Sequence, residues 1–590
     1  VKIAVCIKQI PKISELRLDP ETLRLVREGV GLEPSSLDMV ALGAALALRD
    51  QYGGEVTAVT MGPPSAVDVL KAARLGGADR LLLVSDRALA GSDTLATARA
   101  LADALRGGSF DLILCGKRSL DAETGQVGPM LAEFLGLPVV TGAVKVDVED
   151  RGGRLRVRRE SEVGFEDVTL PLPAVVAAAE SLAEEVYISS KKVMAVPEVD
   201  HKEMGVGDLG GSASDYGEAG SATVVKGLEA VRTERHGKKI TFTDERSVAD
   251  AFRRFMEGRP PRRDEDEDVD GFRGEIWVVV IPDEGEAAAL ELLGQAHRMA
   301  EKGGGRSAAL LCGTPRRSLV NELGAGGAET VYTFTDESLE HFHSDVAADA
   351  VAKAIQEEKP AALLFPSTCY GRELASIVAA RLGLGLTGDI IGLGVDGRTG
   401  RLIQVKPAFG GSFVAPITSK TSPDMATVRP GVFEALRAPR QGEPAVRMLT
   451  AKPRGRGLTR VGTEPYAIPA ALLRSDGVVL SVGKGVGEQS VERVVATAKE
   501  RGFGLGASRS VTDHGWLPKP FQVGLTGRSI APDVYVALGI SGAFEHLVGL
   551  RRARSVVAVN SDPEAPIFDN CDFGVVGTWD QVLPALIEAL

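Results

Sequence analysis

Cysteine is scarce in this chain of 590 residues, and its five copies, Cys6, Cys115, Cys312, Cys369 and Cys571, are scattered singly. There is no Cys-x-x-Cys pair and only seven histidines to complete a ligand set, so no zinc or iron–sulfur site is expected and each thiol reads as core filling. Long apolar runs are missing as well. Stretches such as 174–179 fall far short of the roughly 18 residues that a membrane-crossing helix needs, which excludes membrane insertion. Positive charge is in deficit, with 68 Lys and Arg against 80 Asp and Glu for a net −12, which argues against nucleic acid or an anionic membrane as the main partner. The opening Val1-Lys2-Ile3-Ala4-Val5 reads as a strand rather than a signal peptide, so the expected compartment is the cytoplasm.

What is present is an ordinary globular composition, 44% hydrophobic and 25% charged, in a chain long enough for about three to five domains. The first segment alternates strands (3–7, 55–61, 80–84, 112–115) with helices (38–51, 65–75, 93–105), the pattern of βαβ units and a parallel sheet. The pattern then returns. Gly76-Gly77-Ala78-Asp79 is echoed by Gly326-Gly327-Ala328-Glu329, and Phe110-Asp111-Leu112-Ile113-Leu114 by Pro360-Ala361-Ala362-Leu363-Leu364, in both cases 250 residues on (326 minus 76, 360 minus 110). A period this long is a duplicated domain, and two such copies are expected to pack about a pseudo-twofold axis. Between them, 239–243 reads as a strand and 247–256 as a helix, followed by a Pro-rich, charge-dense run at 258–268 that reads as a linker.

The C-terminal part carries clusters of Gly, Ser and Thr after short β-branched runs at 478–482, 534–538 and 555–559, which read as buried parallel strands. Open α/β sheets bind ligands at that carboxyl edge, where glycine lets backbone N–H groups approach a phosphate, so a dinucleotide-sized site is expected. A second phosphate site is expected in the first copy. There Asp121-Ala122-Glu123-Thr124-Gly125-Gln126-Val127-Gly128 follows a strand and opens a helix near Pro129.

Several blocks in one order, Gly506-Ala507-Ser508-Arg509, Gln522-Val523-Gly524 with Thr526-Gly527, Gly539-Ile540-Ser541-Gly542-Ala543 with His546, and Asn560 with Asp562-Pro563, closely resemble the flavin domain of the electron-transfer flavoprotein alpha subunit. Residues 1–256 resemble the beta subunit of that family, and residues from about 275 onward the alpha subunit, including Lys406-Pro407-Ala408-Phe409-Gly410-Gly411 and 425–431. The resemblance implies a beta–alpha fusion with an α/β fold: two parallel-sheet domains of the adenine nucleotide alpha hydrolase-like kind and a Rossmann-like FAD-binding domain. The implied boundaries are a beta-like domain with its C-terminal arm at 1–256, a linker at 257–274, an alpha-like domain at 275–436, a linker at 437–466 and the FAD-binding domain at 467–590.

The resemblance also implies roles for residues. Ser508 and Ser541 would meet the FAD pyrophosphate, with Gly539 and Gly542 shaping the loop. Arg509 would lie by the isoalloxazine, where a fixed cation favours an anionic reduced flavin. Thr526 would donate toward the flavin N5 edge, His546 toward the C2 carbonyl and N1 side, Gln522 toward the ribityl region, and Asn560 would contact the adenosine half. Gly485 and Lys484 join this set, with Lys484 where the family commonly has Arg and Leu525 where it has Gln. At the first-copy loop, Asp121, Thr124, Gly125, Gln126, Val127 and Gly128, with Cys6 and Met61 at neighbouring strand ends, would hold a second FAD, as in the electron-bifurcating branch, or a structural AMP. The equivalent loop of the second copy, 367–372, lacks the acidic-Thr-Gln pattern and is expected to hold no nucleotide. Residues 187–195 align with the partner-recognition loop, with Ser190 where a leucine anchors docking.

The resulting expectation is an electron carrier without a catalytic base or nucleophile. NADH would be its donor in a bifurcating scheme, and its partners would be an acyl-CoA or other flavin dehydrogenase, a membrane-associated quinone oxidoreductase, and ferredoxin as a further candidate. The alternatives are a plain shuttle with one FAD and one AMP, and an adenine-nucleotide sensor without redox turnover.

Overall fold

The computed structural model describes residues 1–590 except 13–16, 19–24, 27–29, 150–152, 231–234, 236, 260–268, 283–285, 340–342, 409–412, 437, 452, 469, 474–476, 525–526 and 551–552. The chain divides into two compact units, one comprising Val1–Ala230, Asp270–Val428 and Glu434–Glu464, the other Val231–Val269, Arg429–Phe433 and Pro465–Leu590.

The first unit holds both copies of the repeat. In the first copy, β1 (Lys2–Cys6), α1 (Ser36–Tyr52), β2 (Leu112–Gly116) and α2 (Val127–Leu135) frame the candidate site. Among the described residues the sheet runs in the order Lys202–Met204, Arg80–Val84, Glu55–Met61, β1, β2, Ala174–Ala178, Val139–Glu149, all parallel, and then continues into the antiparallel hairpin Arg154–Glu160 and Gly164–Pro171. The parallel strands are nearly uninterrupted apolar runs because both of their faces are covered, whereas the hairpin strands alternate buried and more exposed positions, as a sheet with one covered face requires. The second copy repeats the plan around β3 (Ala362–Pro366) and α3 (Cys369–Leu382). Its order is Leu386–Ile390, Asp424–Val428, β3, Glu275–Val280, Arg306–Leu311, Thr330–Phe334, Ala445–Leu449. The 250-residue spacing holds at strand level, from Arg80 to Thr330, Leu112 to Ala362 and Ala174 to Asp424. One apolar core, with Met130 and Leu131 of α2 and Leu374, Ile377 and Val378 of α3, runs through both copies.

Local details differ from the sequence reading at two places. The helix expected near Pro129 begins at Val127, and proline is tolerated in that first turn because its missing N–H has no intrahelical acceptor there. Within 437–466, residues Ala445–Leu449 and Thr459–Pro465 pair as edge strands of the two sheets. Most of the run read as the first linker, 260–268, lies outside the described residues.

The second unit is built on a parallel sheet. In chain order it contributes β4 (Val478–Val482), β5 (Gly504–Ala507), the short helix α4 (Arg509–Asp513), β6 (Val534–Leu538) and β7 (Val556–Asn560). Among the described residues the strand order is Lys238–Thr241, Phe573–Val576, β7, β6, β4, β5. The piece expected at 239–243 is thus an edge strand of this sheet, and the helix after it spans Glu245–Glu257, with Asp244 accepting from Ser247 N at 2.9 Å as its N-cap. Phe252, Phe255 and Phe573 stack to join that helix to the sheet. No helix among the described residues is long and apolar enough to cross a membrane.

Candidate cofactor sites

In the second unit, β4 lies between β5 and β6, so the chain passes from β4 to β5 on one side and then crosses back from β5 to β6 on the other, which opens a crevice at the carboxyl edge. Two glycine loops meet there. A Cβ on Gly483 would lie 2.2 Å from the Gly539 carbonyl oxygen and one on Gly485 3.0 Å from Gly539 Cα, so only bare backbone fits where the loops cross. Gly539 itself has φ +60°, a conformation that disfavours any side chain. Gly542 is pressed on the Ile567 amide, which donates to the Ser541 carbonyl at 2.9 Å. Asn560 ties the same edge together, donating from Nδ2 to the Ile540 carbonyl and accepting from Asp562 N, both at 2.9 Å. Lys484 is exposed in a single 3₁₀ turn, Lys484–Val486, and a second such turn separates it from the helix that starts at Val491.

Ser508 ends β5 as the N-cap of α4, with its hydroxyl 3.1 Å from that of Ser510. Arg509 is exposed and its Nε donates to Asp513 Oδ2 at 3.1 Å. Gln522 is buried, and its Oε1 accepts from the Thr512 hydroxyl at 2.9 Å. Ser541 is exposed, and Thr526 and Leu525 lie outside the described residues. His546 is buried, with Nε2 2.7 Å from the Tyr535 hydroxyl and Nδ1 without a hydrogen-bond partner among the described residues. Burial pushes its pKa down to about 4, with the Val523 backbone acting the other way, so the ring is neutral at pH 7. A close-approach cradle of glycine, hydroxyls at two strand ends, an exposed guanidinium and an orphaned buried ring nitrogen make a donor set that fits an anionic dinucleotide carrying a carbonyl-rich ring. Sequence reasoning missed Tyr535. Its signal was a hydroxyl in an otherwise aliphatic buried strand, which has to find a partner.

In the first copy, β2 leads through 117–126 into α2. Gln126 precedes the helix without a side-chain cap, and among the described residues no hydrogen bond is made by the backbone N–H groups of 125–128. Gly125 has φ +65°. Gln126 itself is buried and committed at both ends, its Oε1 accepting from Thr94 Oγ1 at 2.6 Å and its Nε2 donating to the Leu386 carbonyl at 3.3 Å. Its side chain thus bridges the two copies, while the backbone donors of its loop stay open. Asp121 pairs with Lys8 at 2.7 Å, and Thr124 is half-buried. Met61 is half-buried and Cys6 buried at adjacent strand ends; desolvation, with Asp38 nearby, pushes the Cys6 thiol up to about 12. Asp38 accepts from Lys8 N (2.9 Å) and Gly116 N (2.7 Å), yet burial raises it to about 6.

The corresponding loop of the second copy is filled from within. Thr368 caps α3 by accepting from Gly371 N at 3.1 Å, and Cys369 N donates to Glu162 Oε1 at 3.2 Å. Glu162 sits at the tip of the first-copy hairpin, between Arg154–Glu160 and Gly164–Pro171. Beside it, buried Arg159 faces Glu373 (3.5 Å), Glu166 (3.9 Å) and the Tyr370 ring (4.3 Å), and Tyr370 donates to Glu166.

Similarity to known proteins follows this division. The electron transfer flavoprotein domain matches residues 22–204 and 277–453, once on each copy, and the electron transfer flavoprotein FAD-binding domain matches residues 472–551. An electron transfer flavoprotein subunit alpha from Thermoanaerobacterium thermosaccharolyticum is 34% identical over 322 residues, which is 54% of this chain and 97% of that protein. One from Mycobacterium leprae is 37% identical over 295 residues, 48% of this chain and 89% of its own length. The acryloyl-CoA reductase electron transfer subunit beta of Anaerotignum propionicum is 32% identical over 360 residues, 55% and 97% of the two chains. A subunit-sized relative thus accounts for about half of the chain, while the family domain occurs twice along it, as in a fusion of beta and alpha subunits. With the duplicated sheets and the glycine-lined C-terminal crevice each matched over most of their length, the chain belongs to the electron transfer flavoprotein family.

Proposed function

We propose that this electron-transfer flavoprotein passes electrons between a flavin-dependent dehydrogenase and a quinone reductase or other acceptor, with FAD in the C-terminal crevice and a second FAD at the first-copy loop serving bifurcation from NADH. Bound FAD supplies one- and two-electron redox chemistry, and the protein supplies position and electrostatics. In this reading the hydroxyls of Ser508 and Ser541 and the bared backbone at Gly485, Gly539 and Gly542 take the pyrophosphate. Arg509 sets a fixed cation beside the ring system, and Lys484 a second, less directional one. Gln522, Thr526 and His546 donate to ring and ribityl acceptors, and Asn560 holds the adenosine-side loop in shape. The domain boundaries follow the same division, 1–256, 275–436 and 467–590.

The observation that carries the second nucleotide is the open row of N–H groups at 125–128, at the positive end of α2. Asp121, Thr124 and the ends of β1 and Glu55–Met61, Cys6 and Met61, border it. For partners, the acryloyl-CoA reductase in the name of the Anaerotignum propionicum relative supports an acyl-CoA-type dehydrogenase. The stretch 187–195 offers docking side chains in Tyr187 and Met194, 78% and 84% exposed, in place of an apolar residue at Ser190. A membrane-associated quinone oxidoreductase and ferredoxin complete the set of acceptors. The deciding experiment is nucleotide content after gentle denaturation. Two FAD per chain is the expected result, and one FAD with one AMP would replace bifurcation by a plain shuttle.

A further inference from the structure

Tyr535 lies in β6 among Val534, Val536, Ala537 and Leu538, all buried. A phenol in such surroundings costs free energy unless its hydroxyl is hydrogen-bonded. Its partner is His546, eleven residues on, beyond the 539–543 loop, with 2.7 Å between the hydroxyl and Nε2. The direction of this bond follows from chemistry. A phenol donates better than its ring-delocalised oxygen accepts, and the bare nitrogen of a neutral imidazole is a strong acceptor, so the hydroxyl is the favoured donor across the 2.7 Å contact.

Both groups are neutral at pH 7. Burial lowers the imidazole to about 4 and raises the phenol well above its ordinary value, while Ser481 on the neighbouring strand β4 acts on the phenol in the opposite sense. Ser481 is itself fully buried, and its hydroxyl makes no hydrogen bond among the described residues, which leaves it able to turn toward the phenol oxygen. With Nε2 accepting, the one ring proton of His546 resides on Nδ1. That ring nitrogen makes no well-formed hydrogen bond among the described residues, with the Val523 backbone as its nearest protein influence.

We infer that Tyr535 is a positioning residue: by donating to Nε2 it locks His546 in the Nδ1–H tautomer and so presents a neutral N–H donor, rather than a bare nitrogen, to a carbonyl-type acceptor of the flavin. The inference rests on the reading of His546 as a group that meets the flavin. A donor at that place favours the electron-richer, reduced form of the ring edge it touches, and a bare nitrogen would disfavour it.

The test uses the purified, FAD-loaded full chain labelled with ¹⁵N, and long-range proton–nitrogen correlation of the histidine rings at neutral pH. The His546 resonances are identified by their loss in His546→Gln. The expected result is a single tautomer with the proton on Nδ1, and a proton on Nε2 would overturn the inference without any variant. In Tyr535→Phe the two nitrogen resonances are expected to move toward each other as both tautomers become populated, with FAD content kept, the visible flavin bands shifted and the reduction potential lowered. An unchanged tautomer in Tyr535→Phe overturns the lock. A changed tautomer with an unaltered flavin spectrum and potential leaves the lock in place but removes His546 from the flavin, and so overturns the reading on which the inference rests.

Discussion

The loops that open α2 and α3 derive from the same repeated unit and meet the same electrostatic demand, because each must satisfy the N–H groups of a helix start at the carboxyl edge of a parallel sheet. At α3 the protein meets it internally, with the Thr368 cap and the Glu162 carboxylate brought in by the hairpin of the other copy. At α2 no side chain caps the helix, and the donors at 125–128 make no hydrogen bond among the described residues. The hairpin tips differ accordingly. The first copy carries Ser161-Glu162-Val163, and between the corresponding strands Leu402–Ala408 and Phe413–Ser419 the sequence is Phe409-Gly410-Gly411-Ser412, whose placement lies outside the described residues. A carboxylate at one tip and none at the other is a sequence difference that leaves one helix start for an external anion and gives the other an internal one. α1 adds to the contrast. It starts at Ser36 and buries Asp38 at this edge, while the helix starting 250 residues on at Glu286 has Ala288 there.

If the loops differ in this way, a valine placed in each should have unequal results for nucleotide content. Gly125→Val puts a branched side chain at a φ of +65°, with its Cβ 3.2 Å from the Lys117 carbonyl oxygen and its bulk beside the open donors. Nucleotide analysis is expected to find the first-copy nucleotide lost and the C-terminal FAD kept, while Cys369→Val in the second copy leaves the content unchanged. Loss of both nucleotides, or of neither, would end the division of sites. Next in size is Arg159→Met. Burial opposes the guanidinium charge, but Glu373, Tyr370 and Glu166 outweigh it, and removing Arg159 leaves buried Glu373 without its counter-charge while Glu166 keeps Arg460 at 3.3 Å. The expected cost is about 3–5 kcal/mol in chemical denaturation. A loss below about 1 kcal/mol would mean that Arg159 does not anchor the filled loop.

How far this asymmetry could be read beforehand depends on the length scale of each interaction. The strands at 478–482 and 534–538 were legible to the residue, because a strand buried on both faces is an unbroken apolar run. The 250-residue repeat was legible because its glycine turn and its strands recur together. The spaced glycines marked the crevice, since only bare backbone lets its loops cross. Other features join distant positions. Glu162 meets Cys369 across 207 residues, and no local pattern announces that. Arg159 occupies a buried position of an alternating strand whose neighbours on both sides are charged, so the sequence reads as a solvated ribbon. Gln126 is read from the sequence as a nucleotide ligand, and its contacts with Thr94 and Leu386 lay beyond that reading, because only topology could bring Leu386 to it.

The buried carboxylate of the first copy gives the comparison a pH signature. Asp38 is raised from 3.8 to about 6 in the fold, first by burial and against the hydrogen bonds from Lys8 and Gly116, so the folded state favours its protonated form. Its contribution to stability is therefore complete below about pH 3.8 and is lost as pH rises through about 6. The swing is at most about 3 kcal/mol for a shift of this size. Urea denaturation of wild type and Asp38→Asn at pH 4.5 and pH 7 isolates it. The stability of wild type relative to the variant should fall across that interval. A difference independent of pH would show that Asp38 is not held protonated.

The smallest effect bears most directly on why the copies differ. Glu162→Ala removes a partly buried, charge-assisted hydrogen bond to Cys369 N at the positive end of α3, and a cost of about 1–2 kcal/mol is expected. Glu162→Gln, which keeps an acceptor but not the charge, should cost about half of that. Neither variant should gain a nucleotide. Thr368 still takes the Gly371 N–H through its hydroxyl and the Arg372 N–H through its carbonyl, so fewer donors are freed at α3 than stand open at α2. Calorimetry with AMP added to the double variant Gly125→Val/Glu162→Ala, against Gly125→Val alone, provides the measurement. Heat of binding in the double variant alone would mean that one carboxylate accounts for the whole difference between the loops, and the geometry of the Thr368 cap would drop out of the explanation.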